Sequence, residues 1–153
     1  MSGEFRPEIE LFNDSLARCL RGDRLFQHFY DAFLASSEEV RAKFRNTDFR
    51  KQIRVLKSSF YMLVEYLALG WPECEAYLER IAAAHSKRER DVAPHLYDLW
   101  LECLLQAVKE CDEQYSPQVD AAWRYVMGAG INFLKARYDP PATVTDPLAR
   151  RTL

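Results

Sequence analysis

The chain has 153 residues, with 21 Lys+Arg against 23 Asp+Glu for a formal net charge of −2. That length suits one domain, and 48% hydrophobic with 13% aromatic residues excludes a disordered polymer. Without a Lys/Arg stripe nucleic acid is not an expected partner, and without a run of about 18 apolar residues neither is a membrane.

Apolar residues recur at helical spacing from end to end without sustained period-2 alternation. Five Gly and seven Pro are few for the frequent turns of a β-protein, so the expected class is all-α. The first helix is expected over 8–21, with Ile9, Phe12, Leu16, Cys19 and Leu20 on one side. Gly22 reads as its stop and Asp23 as the cap of the next. The second, over 24–36, has the aromatic face Phe26, Phe29, Tyr30 and Phe33. A short helical piece follows Ser36-Ser37-Glu38-Glu39 and runs to Phe44.

Thr47 and Asp48 open a long helix to about Leu69, whose inward face would be Phe49, Ile53, Leu56, Phe60, Leu63, Val64 and Leu67. Gln52 falls on that same face. Gly70-Trp71-Pro72 breaks the chain, with Pro72 suited to a first helical position. The helix over 72–87 carries Leu78, Ile81, Ala82 and His85 in one stripe, and Ser86 to Asp91 form a charged connection. A helix from Pro94 to about Glu110 turns Leu96, Leu99, Trp100, Cys103, Leu104 and Ala107 inward. The last begins at Ser116-Pro117, with Val119, Ala122, Trp123, Val126, Ile131 and Leu134 on its apolar face. The expected domain is 1–138, followed by a disordered tail over 139–153.

Cys19, Cys74, Cys103 and Cys111 form no C-x-x-C pair, unlike a structural zinc or redox motif. Cys19 and Cys103 lie on apolar stripes and read as buried reduced thiols. The first twelve residues carry acids and no apolar core of signal-peptide length, so the expected location is cytoplasmic.

Chemistry concentrates on three residues. Of the histidines, His28 points off the aromatic face and His95 sits at a helix start on a polar side, so both read as surface or structural groups. His85 instead ends an apolar stripe, where it is either a satisfied core residue or a ligand. Gln52 among Phe49, Ile53 and Leu56 either bonds a neighbouring loop or serves something in the interior that needs hydrogen bonds. Tyr30 places a hydroxyl on the aromatic face of the second helix in the same way. An axial imidazole opposite a phenol and an amide suits a haem iron with distal donors, and without C-x-x-C-H that haem would be non-covalent haem b.

Several segments resemble the globin family over about residues 8–138, especially bacterial single-domain globins and flavohaemoglobin globin domains. Phe29-Tyr30-Asp31-Ala32-Phe33 followed by Glu39-Val40-Arg41-Ala42-Lys43-Phe44 looks like the second helix and its corner. Phe49-Arg50-Lys51-Gln52-Ile53-Arg54-Val55-Leu56 looks like the distal helix, and Ile81-Ala82-Ala83-Ala84-His85 like the helix of the proximal histidine. Tyr97 to Leu105 and Ala122-Trp123 resemble the last two helices. The resemblance implies a globin fold with His85 as proximal iron ligand and Tyr30 and Gln52 as distal ligand-binding residues. It also implies haem contacts from Phe44, Leu56, Ile81, His85, Val92, Leu96 and Trp100.

The implied function is reversible binding of oxygen, nitric oxide or carbon monoxide for sensing, scavenging or storage. Nitric oxide dioxygenation is the alternative. No reductase segment is recognised, so that activity would call for a separate reductase partner. Flavohaemoglobins pair the proximal histidine with a glutamate that makes the imidazole more electron-donating, and the corresponding position here is Tyr138. Arg45, Lys51, Lys87, Arg88 and Arg90 are candidates to pair with haem propionates, or else solvated surface charges.

Overall fold

The computed structural model describes residues 6–139, so the tail expected over 139–153 lies almost wholly outside the described residues. Seven helices follow one another in this span: α1 (Pro7–Arg21), α2 (Leu25–Ser36), α3 (Glu38–Lys43), α4 (Phe49–Leu69), α5 (Pro72–His85), α6 (His95–Cys111) and α7 (Pro117–Ala136). Five of these starts have a local reason. Pro7, Pro72 and Pro117 occupy first-turn positions, where the missing N–H costs nothing and φ is already helical. Side chains cap two others and α7 as well: Ser37 accepts from the Val40 N–H, Asp48 from Arg50 and Lys51, and Ser116 from Val119, satisfying donors the first turn leaves open.

Two boundaries depart from expectation. Gly22 ends α1 in ordinary right-handed backbone, and Asp23 takes the left-handed turn at φ 52°. Arg24, not Asp23, therefore stands at the N-cap of α2, without a side-chain cap. The helix expected over 72–87 stops at His85, because Ser86 turns extended (φ −67°, ψ 165°) and its hydroxyl donates to the Ala83 carbonyl. At the end of α4 the left-handed position falls on Gly70, φ 65°, where a Cβ would be strained.

The core forms where α1 lies against α7 and α2 against α6, with α4 and α5 packed together beside them. Phe60 joins these pairs: its ring sits 5.8 Å from Phe26, 6.4 Å from Phe12 and Trp100, and 6.1 Å from Trp123. Phe12 and Trp123 are closer still, 4.5 Å apart. Such tilted and edge-on aromatic pairs add to what burial alone supplies. Gly130 lets α7 approach α4, since a Cβ there would lie 2.9 Å from Leu63 Cδ2.

One polar cluster sits inside this core. Asp112, 3% exposed, accepts from the Ser15 hydroxyl at 2.6 Å and from Arg18 through Nε at 2.6 Å and Nη2 at 2.9 Å. The Gln114 N–H also donates to it, and the Trp123 indole donates to Ser15 Oγ at 2.8 Å. Burial pushes the Asp112 carboxyl up, but these bonds outweigh it and hold the group below its ordinary value. Every oxygen is engaged, which is the condition for keeping a charge inside a core.

Candidate functional site

The inward face of α4 changes character along its length. Phe60 and Leu63 are buried, whereas Phe49, Gln52, Ile53 and Leu56 in its first two turns, and Val64 and Leu67 further on, are only half-buried. The same incomplete cover recurs on facing elements, at Phe44 after α3, Ile81 and His85 on α5, Val92 in the following corner, and Leu99 and Trp100 on α6. Helical periodicity turns these apolar side chains inward, yet the polypeptide does not finish covering them. Leu96 and Tyr30 are exceptions, 4% and 5% exposed.

His85 is placed by the last turn of α5. Its Nδ1 lies 2.8 Å from the Ile81 carbonyl oxygen, an acceptor, so Nδ1 carries the proton and Nε2 keeps its lone pair. No partner for Nε2 occurs among the described residues. Burial depresses the imidazole below its usual 6.5; the Ile81 carbonyl opposes this and the Arg90 charge adds to it. A neutral ring with a fixed tautomer and an available nitrogen is the form that ligates a metal.

On α2, the Tyr30 ring packs edge-on against Phe49 at 5.2 Å and Phe44 at 5.8 Å. Burial pushes its phenol up to about 12, partly offset by the Gln52 side chain. The hydroxyl is therefore protonated at neutral pH, and the Gln52 side chain lies within hydrogen-bond reach of it. A separate cavity of about 230 Å³ opens between α2 and α4 on the side of Gln27 and Asp31, lined also by Tyr30, Phe49 and Ile53, and no residue of α5 or α6 reaches it.

The remaining candidates fall at stated places. Trp100 packs edge-on against Phe29 at 5.6 Å. The Val92 N–H donates to the His85 carbonyl at 3.0 Å, fixing that corner to the end of α5. Tyr138, at the position the resemblance equates with the flavohaemoglobin glutamate, donates its hydroxyl to Asp91. Arg45, Lys51, Lys87, Arg88 and Arg90 are exposed, and none forms a side-chain ion pair among the described residues. The surface histidines find carboxylates, His28 with Glu110 and His95 with Glu39.

Ser15 and Asp112 escaped the sequence reading. Ser15 lies between Phe12 and Cys19 on an apolar stripe, and that misplaced hydroxyl was the available signal.

These residues fit a haem by their donor chemistry: one neutral imidazole with a free nitrogen, apolar side chains left half-covered, and a phenol paired with an amide. No group of three or more His, Cys, Asp or Glu side chains suited to a bare metal ion occurs among the described residues.

Comparison with known proteins is consistent with that fit. The family profile described as Globin matches residues 24–133. A crystal structure of a Pseudomonas aeruginosa PAO1 protein, described as structurally highly homologous to a human hemoglobin, is 40% identical with a TM-score of 0.80. The match covers 86% of this chain and 98% of that one. No curated protein matches.

Proposed function

Because the chain belongs to the globin family, whose members hold haem, we propose that it carries a non-covalent haem b on His85. On that haem it reversibly binds oxygen, with nitric oxide and carbon monoxide as further ligands, in sensing, scavenging or storage. The observation that carries the reading is His85 itself: Nδ1 is committed to the Ile81 carbonyl, and Nε2 has no hydrogen-bond partner among the described residues.

When bound, the haem iron supplies an open coordination position for a diatomic gas. This chain's residues supply the rest. His85 would hold the iron through Nε2, and its Nδ1–H bond to the Ile81 carbonyl keeps the ring from swivelling. Phe44, Leu56, Ile81, Val92, Leu96 and Trp100 provide apolar contact that excludes water. Tyr30, protonated and buried, and Gln52 would be the hydrogen-bonding groups available to a bound gas, which would favour tight retention over rapid delivery.

Nitric oxide dioxygenation with a separate reductase is less well supported. The Tyr138 hydroxyl is spent on Asp91 and the proximal Nδ1 faces a carbonyl, not a carboxylate, so the imidazole lacks the anionic partner that strengthens electron donation. Location in the cytoplasm belongs to the same reading; no described helix is long and apolar enough to cross a membrane.

The test is an absorbance spectrum of purified protein titrated with haem. A stoichiometric Soret band in the wild type, altered in His85→Ala and recovered there with added imidazole, is expected. A wild type that yields no Soret band sinks the proposal, and an unchanged spectrum in His85→Ala removes that residue as the ligand.

A further inference from the structure

The corner that follows α5 is held from two sides by groups no haem contact explains. From α3, Lys43 Nζ donates to the backbone carbonyls of both Arg90 and Asp91, each at 2.8 Å. From beyond α7, the Tyr138 hydroxyl donates to the Asp91 carboxylate, and the Tyr138 carbonyl accepts from the Lys87 N–H at 2.9 Å. Asp91 itself sits in left-handed backbone at φ 51°, a conformation that costs a non-glycine residue energy unless its surroundings hold it. Inside the corner, the Arg90 N–H donates to Ala84, Asp91 to Ser86 and Val92 to His85. Asp91 is thus the point where an α3 ammonium, a phenol after α7 and the backbone next to His85 converge.

Resting on the reading of His85 as iron ligand, we propose that Lys43, Asp91 and Tyr138 form a three-point clamp that sets the orientation of His85 and so tunes its bond to iron. They are positioning residues: none reaches the imidazole, and each acts through the Asp91–Val92 backbone. Lys43 lies one residue before Phe44, so the clamp also ties the aromatic corner beside Tyr30 to the segment carrying the proximal ligand. A change on the distal side has a short covalent and hydrogen-bonded route to the proximal one.

The exposure of Lys43 makes its bonds small contributors to global stability, so Lys43→Met and Tyr138→Phe should fold. Two measurements read the clamp. Amide hydrogen exchange on haem-free protein should show the Arg90, Asp91 and Val92 amides opening roughly three- to tenfold faster in either variant, the scale of one lost hydrogen bond. Resonance Raman on haem-loaded ferrous protein should show the iron–histidine stretch shifted or broadened, with Lys43→Arg restoring it. Faster exchange with an unmoved stretch overturns the inference, because the clamp would then be structural only, and so does unchanged exchange. A wild-type protein with no iron–histidine stretch, or one whose stretch survives His85→Ala, overturns the ligation reading and the inference with it.

Discussion

A hydroxyl and a carboxyl show how much one residue can carry in this chain. Replacing Tyr30 with Phe keeps the ring against Phe44 and Phe49 but removes the donor. Oxygen dissociation measured by stopped flow should accelerate about tenfold, the equivalent of about 1.4 kcal/mol for one hydrogen bond. Asp112 is the structural counterpart. Its carboxyl is depressed below its ordinary value, so the folded state binds that proton less readily than the unfolded one. The stability it contributes is complete above the unfolded carboxylate value of about 4 and is lost as pH falls from there through the depressed folded value. Asp112→Asn leaves Arg18, whose side chain is 12% exposed, without its anion. Urea unfolding at neutral pH should show a loss of about 3 kcal/mol, and the gap to wild type should narrow in acid. Tyr30 and Gln52 were legible because polar atoms on apolar stripes demand explanation. Lys43, Asp91 and Tyr138 were not, since their bonds join residues 47 apart or more in the chain and leave no periodic trace.

Among the helices, legibility followed local chemistry. The starts of α4 and α7 carry capping side chains and prolines that announce themselves. The end of α5 does not: Ser86-Lys87 is neutral toward helix, and what stops it is a backbone turn whose N–H groups return to Ala84, Ser86 and His85. Asp23 was misjudged for a related reason, because Asp tolerates left-handed backbone as well as capping, and tertiary packing chose the former. The close approach of α7 to α4 at Gly130, where a Cβ would lie 2.9 Å from Leu63 Cδ2, was also invisible. Gly130→Val would force its branches into Leu63, and differential scanning calorimetry should show a loss of about 2 kcal/mol. Leu63→Ala in the same chain should recover part of that loss, a coupling expected only of residues in contact.

Across the whole molecule, cover is uneven. Phe12, Phe60 and Trp123 pack together fully buried, while the first half of α4 and the last turn of α5 leave apolar side chains half-covered. Haem should therefore act as a missing part of the core. Adding it in excess should raise Tm, by an amount equivalent to about 2.7 kcal/mol at a hundred times its Kd, and His85→Ala should show a smaller rise. The hydrophobic pattern foretold this architecture well, because stripes on seven helices have few ways to meet. It could not foretell which stripe the protein itself would leave open, since an inward face reads the same whether protein or cofactor covers it. The pairing of α1 with α7 has a further consequence during synthesis. The Ser15 hydroxyl waits for the Trp123 indole, 108 residues later in the chain, and at about 5 to 20 residues per second that interval is roughly 5 to 20 s. Throughout it the Phe12, Leu16 and Cys19 stripe lacks its α7 partner, with Phe60 the earlier contact open to Phe12, and that face is a ready target for a holding chaperone.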